Sequence, residues 1–558
     1  MDDEISLASL ATRSGCLLVA MVAARCAGHG GGCSSLRRRL LAAVAVLAAF
    51  GLAPCAAAAA AAGGAAADDA VGAGAAAAAA GRGHHRHVVM LRVEDVLAAA
   101  PSSSCDMPAE YEHRSTSSGT RMTVVHRHGP CSPLADAHDG KPPSHEEILA
   151  ADQNRAESIQ HRVSTTTARG KPRRSRASPP PRRQQPPVAS APAPAASLSS
   201  SAASLPASSG RALGTGNYVV TVGLGTPAAR YTVVFDTGSD TTWVQCQPCV
   251  VVCYKQREKL FDPARSSTYA NISCAAAACS DLDTRGCSGG HCLYGVQYGD
   301  GSYTIGFFAM DTLTLSSHDA IKGFRFGCGE RNEGLFGEAA GLLGLGRGKT
   351  SLPVQTYDKY GGVFAHCFPA RSSGTGYLEF GPGSSPAVSA KLSTTPMLID
   401  TGPTFYYVGM TGIRVGGKLL PIPQSVFAAA GTIVDSGTVI TRLPPAAYSS
   451  LRSAFAASMA ARGYKRAPAL SLLDTCYDLT GASEVAIPTV SLLFQGGVSL
   501  DVDASGIIYA ASVSQACLGF AGNEAADDVA IVGNTQLKTF GVVYDIASKV
   551  VGFCPGAC

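Results

Sequence analysis

Charge is scarce in this sequence, and aromatic side chains are scarcer still. Asp, Glu, Lys and Arg make up 15% of the 558 residues, aromatic residues make up 7%, and Trp occurs once. The shortage of aromatics is greatest before Gly210, where Ala, Ser, Pro and Arg dominate. A chain of that composition buries too little apolar surface to hold a fixed core. The first part is therefore predicted to be a targeting leader, residues 1–65, and a pro-segment with a basic, Pro-rich linker, residues 66–210.

The rest of the chain, residues 211–558, has no surplus of either charge, and we call it the body. It contains 24 Lys and Arg against 25 Asp and Glu, so the formal charge of +4 comes from the residues before it. Domains that bind nucleic acid or anionic membranes concentrate basic residues on one surface. Neither partner is expected for the body, and the basic pro-region is the one place where nucleic acid could bind.

The body also lacks a second cysteine pair of the kind that zinc sites need. Among its 13 cysteines there is one Cys-x-x-Cys, at 246–249, whereas a structural zinc site requires two such pairs or histidines at suitable spacing. Cysteines in this number are typical of an oxidising compartment, where disulfides persist. We therefore expect disulfides, no metal and no cofactor.

An apolar run near the start resembles a targeting signal. Between Leu36 and Gly64 a basic start is followed by an apolar stretch and small residues, which is the order in a secretory signal peptide. An uncleaved signal anchor and a plastid transit peptide are the alternatives. The run is Ala-rich and interrupted by Pro, so no stable membrane anchor is expected. The chain also ends without an apolar tail, and no C-terminal lipid anchor is expected.

Within the pro-segment, one stretch has the periodicity of a helix. Apolar residues and Asp152 recur at helical spacing in residues 144–164, from Ile148 to Ile159, and predict an amphipathic helix. A basic and then Pro-rich stretch follows at 165–197. It has three interpretations: a solvated linker, a clamp across an acidic cleft, or a nucleic-acid-binding arm.

The body contains two copies of one short pattern. DTGS at 236–239 and DSGT at 435–438 each follow a short apolar strand, in a body whose turn signals recur every ten or so residues. A single copy would be an ordinary turn at a strand end. Two copies with matched flanks favour a shared function, and each half adds an apolar-apolar-Gly segment, at 341–346 and 530–536. Each of these segments is predicted to pass beside its own Asp loop, because Gly permits a close backbone approach.

These motifs carry a family resemblance. The body resembles the pepsin-type (family A1) aspartic proteases, and more closely their plant nepenthesin-like branch, over essentially all of 211–558. The segments at 126–134 and 147–160 resemble the pro-segments of plant members, including chloroplast nucleoid DNA-binding proteases and apoplastic defence proteases. The resemblance implies an all-β, bilobal fold with an N-terminal lobe at 211–400, a C-terminal lobe at 401–558 and a deep cleft between them.

The resemblance also implies the chemistry. Asp236 and Asp435 would form the catalytic pair of an endopeptidase, because hydrolysis of an amide without metal needs one group to accept a proton and another to donate one. Two carboxylates about 3 Å apart share one proton, since like charges that close cannot both ionise. Such an enzyme is expected to work best in acid, to be made as a zymogen that its own pro-segment inhibits, and to act as a monomer on peptides or proteins. The expected location is the apoplast or the vacuole, with the chloroplast as the alternative.

Six neighbours of the two aspartates are predicted to shape the site. The hydroxyls next to each Asp would exchange hydrogen bonds between the loops, the glycines would allow close approach, and the hydroxyls that follow would donate to the carboxylates. These residues are Thr237, Gly238, Ser239, Ser436, Gly437 and Thr438.

A hairpin turn at 298–302 resembles the family's flap. Tyr298, Gly299 and Asp300 would close over a bound peptide. The indole N–H of Trp243 is predicted to donate a hydrogen bond to the hydroxyl of Tyr298.

Disulfide connectivity cannot be read from the sequence, but the resemblance implies one. Cys554 is left over, and Asn271 begins a glycosylation sequon. The implied pairs are Cys246–Cys249, Cys253–Cys328, Cys274–Cys292, Cys279–Cys287, Cys367–Cys558 and Cys476–Cys517.

A rival interpretation is an inactive protein of the same fold that serves as an inhibitor or a cell-wall binding protein. Such proteins usually lack part of an Asp-x-Gly pair or the flap. Both Asp, both Gly and Tyr298 are present here, which favours the enzyme.

Overall fold

The structure, a computed structural model, describes most of the body and parts of the pro-segment. The described residues are 87–93, 105, 114–116, 119–134, 143–170, 218–298, 301–334, 336–382, 391–429 and 431–558. The predicted leader, nearly all of the basic linker, and Gly299 and Asp300 of the flap lie outside them. Within the part that is described, no helix is both long enough and apolar enough to cross a membrane.

Among the described residues of the predicted pro-segment, 66–210, there are three strands and one long helix. The strands are β1 (Val88–Arg92), β2 (Arg114–Thr116) and β3 (Gly119–His126), and the helix is α1 (His145–Gly170). Helix α1 begins with a capping box, in which the Glu147 N–H donates to the Ser144 hydroxyl (3.2 Å) and the Ser144 N–H donates to the Glu147 carboxylate (2.8 Å). The helix predicted from periodicity in 144–164 is therefore confirmed.

The first half of the body consists mainly of strands with short helices between them. Its strands are β4 (Tyr218–Leu224), β5 (Ala229–Asp236), β6 (Trp243–Gln245), β7 (Ala270–Asn271), β8 (Arg285–Ser288), β9 (His291–Gln297), β10 (Tyr303–Ser316), β11 (Asp319–Glu333), β12 (Gly341–Gly344), β13 (Val363–Cys367), β14 (Thr375–Phe380) and β15 (Ser393–Pro396). Its helices are α2 (Ala277–Ser280), α3 (Leu352–Gln355) and α4 (Tyr357–Tyr360), with 3-10 turns at Pro263–Arg265 and Ile399–Thr401.

The second half has the same character. Its strands are β16 (Tyr406–Val408), β17 (Met410–Val415), β18 (Lys418–Leu419), β19 (Thr432–Val434), β20 (Thr441–Leu443), β21 (Lys465–Ala467), β22 (Cys476–Asp478), β23 (Glu484–Pro488), β24 (Val490–Phe494), β25 (Val498–Asp501), β26 (Ile508–Ser512), β27 (Gln515–Leu518), β28 (Phe520–Gly522), β29 (Ala530–Val532), β30 (Gly541–Asp545) and β31 (Val550–Cys554). Its helices are α5 (Ser425–Ala428), α6 (Pro445–Ala460) and α7 (Ala504–Ile507), with a 3-10 turn at Gln495–Gly497.

One sheet joins the pro-segment to both halves of the body. In this 16-stranded sheet, β3 lies between β14 and β4. The last strands follow β13 in the order β13-β30-β31. Strand β3 pairs with β14 over six residues and with β4 at Val125 and His126. The lobe boundary at residue 400 stays a prediction, and β30 and β31 return across it to pair with β13 and β15.

Smaller sheets complete a bilobal, all-β fold, as the sequence predicts. One of them has the order β16-β19-β29-β20-β28, and the second Asp loop follows its strand β19. The others are two four-stranded sheets and the β1-β23 pair. Helix α6 packs on this half through a buried apolar face. The face is the one expected from the spacing of its apolar residues, Tyr448, Leu451, Phe455 and Met459.

The disulfides correct four of the six implied pairs. Cys367–Cys558 and Cys476–Cys517 are confirmed, and Cys554 is free and buried. The other bonds of the body, together with one in the pro-segment that was not predicted, are Cys246–Cys328, Cys249–Cys253, Cys274–Cys287, Cys279–Cys292 and Cys105–Cys131.

Strand pairing explains the corrected connectivity. Strand β6 lies parallel to β11 with Val244 opposite Cys328, so Cys246, two residues after Val244, reaches Cys328 with a Cα–Cα distance of 5.3 Å. In the β8–β9 hairpin, Cys287 and Cys292 are opposite each other and each bonds to a cysteine outside the hairpin. These neighbours are set by the sheet and not by distance along the chain.

Truncation of Phe455 tests the packing of α6. Phe455 is fully buried, and Phe455→Ala is expected to lower the free energy of unfolding by about 3–5 kcal/mol, because it removes contacts and leaves a cavity. Ser453 lies on the exposed side of the same helix, so Ser453→Ala should change it by less than about 0.5 kcal/mol. Chemical unfolding followed by circular dichroism gives both values. Equal effects would contradict the assigned face.

Candidate active site

Two equivalent loops bring Asp236 and Asp435 into the centre of the fold. Asp236 ends β5, whose parallel neighbour β12 places Gly344 opposite it, and the Asp236 carbonyl accepts the Leu345 N–H at 2.9 Å. Asp435 follows β19, and its N–H donates to the carbonyl of Val532 in the parallel neighbour β29 at 3.0 Å. The two predicted apolar-apolar-Gly segments thus pass beside their own Asp loops.

Glycine is required at both loops. A Cβ on Gly238 would lie 2.5 Å from Asp435 Oδ1, and a Cβ on Gly437 would lie 2.5 Å from Asp236 Oδ1. Either contact is far shorter than van der Waals distance, so a side chain would push the two loops apart. The two carboxyl groups themselves are 1% and 0% exposed.

The predicted hydroxyls connect the loops across the body. The Thr237 N–H donates to Ser436 Oγ at 3.0 Å, and the Ser436 N–H donates to Thr237 Oγ1 at 2.9 Å. Ser239 Oγ donates to Asp236 Oδ2 at 2.8 Å, and Thr438 Oγ1 donates to Asp435 Oδ2 at 2.5 Å. These bonds fix the loops relative to each other and orient each carboxylate.

A cation from the pro-segment lies between the two carboxylates. Arg155 of α1 donates from Nη2 to Asp236 Oδ1 at 2.7 Å, to Asp435 Oδ1 at 3.0 Å and to Asp435 Oδ2 at 2.9 Å. Its Nε donates to Asp435 Oδ2 at 3.1 Å. Nη2 therefore contacts both carboxyl groups. The space between the two carboxyl groups is the size of one small polar group.

The two carboxyl groups have different electrostatic surroundings. Burial raises the pKa of Asp236, but the Arg155 charge and the hydrogen bonds from Gly238 N–H, Ser239 and Arg155 outweigh burial, and its pKa is held below the ordinary value. Burial raises the pKa of Asp435, and together with the negative charge of Asp236 it outweighs the lowering by the Arg155 charge. For Arg155, burial lowers the pKa but both carboxylates outweigh it, so the guanidinium stays charged.

Helix α1 covers the site with an apolar face as well as a charge. Leu149 packs with Val439 and Ile440 beside the second Asp loop, while Ala156, Ile159 and Val163 pack with Phe405, Tyr407, Ile433 and Ile531. At the first loop, Arg162 donates from Nη1 to the Gly238 carbonyl at 3.0 Å. The helix therefore contacts both Asp loops at once.

The described part of the flap lies as the sequence predicts. Trp243 is fully buried, and its Nε1 donates to the Tyr298 hydroxyl at 2.9 Å. Phe336 packs edge-on against both rings, with centroids 4.8 Å from Trp243 and 5.4 Å from Tyr298. Asn271, the sequon residue, is half-buried in β7 and accepts a hydrogen bond from the Tyr269 hydroxyl at 2.7 Å, and its glycosylation stays a prediction.

Comparison with known proteins places this arrangement in a family. Residues 218–382 match the family described as "Xylanase inhibitor N-terminal", and residues 405–555 match "Xylanase inhibitor C-terminal". An aspartyl protease family protein of Arabidopsis thaliana is 44% identical over 83% of this chain and 91% of its own length. The chain belongs to the plant pepsin-like aspartic protease family.

Two further comparisons have lower sequence identity. Aspartic proteinase nepenthesin-2 of Nepenthes gracilis is 35% identical over 62% of this chain and 78% of its own length. Among solved structures, the basic 7S globulin of soybean matches 60% of this chain and 92% of its own with a TM-score of 0.50 and 21% identity, which concerns the fold alone.

The residue of this family member that sequence reasoning missed is Arg155. One interpretation of the basic stretch at 165–197 is a cationic clamp across the cleft. Of this stretch, only the helical backbone up to Gly170 is described. The cation at the carboxylates instead belongs to the preceding amphipathic helix. A signal was available in the sequence. Arg155 and Arg162 have helical spacing with Ile148, Asp152 and Ile159, so these two cations lie on the same face of the predicted helix as its apolar residues.

Ser436 provides a test of the bonds between the loops. Ser436→Ala leaves the buried Thr237 N–H without its acceptor, and we expect the protein to lose about 1–3 kcal/mol of unfolding free energy. Ser436→Thr keeps a hydroxyl of the type found at residue 237 in the other loop and should lose much less. Thermal or denaturant unfolding of the two variants separates the cases, and equal losses would show that the bond contributes little.

Proposed function

We propose that this chain is an aspartic endopeptidase made as a zymogen. The observation that carries the proposal is the single Arg155 nitrogen within 2.7–3.0 Å of both Asp236 and Asp435. Two buried carboxyl groups that share one small polar partner are suited to hold one water molecule in the same place. Family membership supports a protease, and the intact pair of loops supports an active one.

The proposed reaction begins once α1 has left the cleft and water replaces the guanidinium. One carboxylate accepts a proton from this water as it attacks the peptide carbonyl, and the other carboxyl group donates its proton to the carbonyl oxygen. Ser239 and Thr438 hold the carboxylates by their donated hydrogen bonds. The peptide would lie extended in the cleft, with Tyr298 and the rest of the flap above it.

An acid optimum follows from the closeness of the two carboxyl groups. They cannot both be ionised without strong repulsion, so one proton is shared and the pair titrates as a unit. At higher pH the shared proton is lost, and with it the group that donates to the substrate.

The pro-segment is proposed to inhibit the enzyme directly. Arg155 occupies the place of the catalytic water, α1 fills the cleft, and β3 holds the segment within the central sheet. Cys105 and Cys131 cross-link the residues that precede β3 to those that follow it. The disulfide-rich body supports secretion to the apoplast or vacuole, and the chloroplast and a DNA-binding role of the basic linker stay alternatives.

The second candidate is an inactive inhibitor of the same fold. It is favoured by the family descriptions that match this chain, which name xylanase inhibitors. A protein that only binds xylanase needs no catalytic water. The inhibitor interpretation therefore does not explain why two buried carboxylates are held by paired hydroxyls. Cleavage of denatured haemoglobin by the processed protein, inhibited by pepstatin, distinguishes the two candidates.

Replacing one catalytic carboxyl group tests the enzyme. Asp435→Asn cannot accept a proton, and we expect kcat/KM of the processed protein to fall at least about 10³-fold, because one half of the acid–base pair is lost. Asp501→Asn, an exposed residue on β25, should leave it unchanged. Turnover that survives Asp435→Asn would reject the proposed mechanism, and no pepstatin-sensitive turnover of the wild type would favour the inhibitor.

Arg155→Met tests the zymogen. Removal of the cation leaves two buried carboxylates without their partner and opens the water position, so the unprocessed protein should gain at least about tenfold activity on a short peptide. Arg414→Met, on the exposed side of β17, is the matched control and should stay latent. A latent Arg155→Met protein would show that α1 blocks the cleft by its bulk alone.

The same ion pair predicts how latency depends on pH. The pKa of Asp236 is lowered in the zymogen, so its pairing with Arg155 stabilises the bound helix fully above the ordinary Asp pKa of about 3.9 and is lost as the pH falls through the lowered value. The raised pKa of Asp435 comes from burial and the charge of Asp236, whereas Arg155 lowers it. The contact with Arg155 therefore favours the ionised form of Asp435 as well, and its effect on helix binding has the same sign. The rate of activation should rise steeply below about pH 4 in the wild type and much less in Arg155→Met, as measured by appearance of the processed band.

A further inference from the structure

A second charged side chain of α1, Asp152, makes close polar contacts with the body. No step of the proposed catalytic reaction uses the groups that it contacts. Asp152 Oδ1 accepts the Val439 N–H at 2.6 Å, and Asp152 Oδ2 accepts the Ile440 N–H at 3.1 Å. Arg442 Nη2 lies 3.0 Å from the same Oδ2. Both oxygens of a fully buried carboxylate are thus held by two backbone donors and a guanidinium.

All three donors belong to the body, whereas the carboxylate belongs to the pro-segment. Val439 and Ile440 directly follow the second Asp loop, and Arg442 lies in β20 between β29 and β28. Hydrogen bonds from backbone and guanidinium groups to a carboxylate are among the strong ones in proteins. The body therefore presents a preformed receptor for one carboxylate, which the pro-segment occupies.

The receptor lies next to the catalytic pair. Asp152 and Arg155 are three residues apart on one helix, a rise of about 4.5 Å, and Arg155 marks the position of the catalytic water. An extended peptide advances about 3.3 Å per residue, so the receptor is within a few residues of the bond to be cut. A substrate that fills the cleft in place of α1 must pass it.

Loss of the pro-segment would leave Arg442 without its carboxylate. The side chain is 2% exposed, and Asp152 is the one ion-pair partner it has among the described residues. Its Nη1 donates to the Ile440 carbonyl at 2.9 Å, and the remaining contact of Nη2, to Gln153 Oε1 at 3.4 Å, is also with the pro-segment. The low exposure of Arg442 is with α1 in place. Once α1 has left, the guanidinium and the two N–H groups face the vacated cleft without a carboxylate, so the receptor can accept a new anion.

We propose that Val439, Ile440 and Arg442 form a carboxylate-binding subsite in the processed enzyme and select substrates with Asp or Glu near the cleaved bond. This rests on the proposed function, because it assigns a specificity to the same cleft. The competing event is that Arg442 turns to Glu524 or Asp528, which line a cavity of about 140 Å³ together with Arg442 and α1. In that case the processed enzyme has no preference for acidic residues.

The test compares matched peptides on the processed enzyme. A neutral peptide substrate is varied at each of four positions on either side of the cleaved bond, with Glu or the isosteric Gln, at pH 5, where Glu is ionised. We expect kcat/KM to be at least about tenfold higher for Glu at one position, mainly through KM. The preference should shrink below pH 4 as the substrate carboxyl group takes up its proton. Glu157, Glu524 and Asp528 also line the cavity beside Arg442.

Variants of Arg442 assign the preference to the receptor. Arg442→Gln should reduce the Glu/Gln ratio to within about twofold, Arg442→Lys should give an intermediate ratio because it keeps the charge but not the planar fork, and Arg414→Gln should keep the wild-type ratio. A wild type that cleaves neutral peptides with no Glu preference at any position overturns the inference and leaves the proposed function intact. A preference that persists in Arg442→Gln also overturns it.

A binding measurement needs neither turnover nor a stable Arg442 variant. The synthetic helix segment 145–164, and the same peptide with Asp152→Asn, are titrated into processed wild-type protein. We expect the Asn peptide to bind at least about tenfold more weakly, because an amide cannot replace a carboxylate beside Arg442. Equal affinities overturn the subsite. If pepstatin-sensitive turnover is absent, the proposed function fails, and these two peptides still decide whether the carboxylate receptor exists.

Discussion

The rest of this structure depends on the contact between two loops that bring like charges together in a buried place. Two carboxyl groups that are almost inaccessible to water repel each other, and the fold has to oppose that repulsion. It does so with the reciprocal bonds of Thr237 and Ser436, with glycines that leave no Cβ between the loops, and with the hydroxyls of Ser239 and Thr438. In this structure the group that meets both carboxyl groups is the Arg155 cation.

The pro-segment meets this requirement by matching charges one by one. Arg155 compensates the negative carboxylate pair, and one turn earlier Asp152 compensates the buried cation of Arg442. The same helix thus carries an anion and a cation in the order complementary to the cleft, while its apolar residues bury surface on both sides of the second loop.

Strand β3 adds a second kind of attachment. It lies between β14 and β4 inside the 16-stranded sheet, so the pro-segment contributes backbone hydrogen bonds to the body as well as side chains to the cleft. Strand β1 does the same on β23 over five residue pairs. Helix α1 is therefore held near the two Asp loops by strands that pair with both halves of the body, which lowers the entropic cost of placing Arg155 between the carboxylates.

The sequence by itself determined the features that are local or repeated: the two Asp-x-Gly loops, the strands beside them, the Tyr298 turn, the amphipathic pro-helix and the α6 face through Phe455. Each depends on periodicity or on a turn that a few adjacent residues specify. Only the tertiary structure decided which cysteines pair and which basic residue meets the carboxylates. Cys246 bonds to Cys328 because β6 and β11 are neighbours, and Arg155 rather than the basic linker reaches Asp236 because α1 packs across both loops. Such neighbours come from distant parts of the chain, and the spacing of residues along the sequence does not show how far apart they are in space.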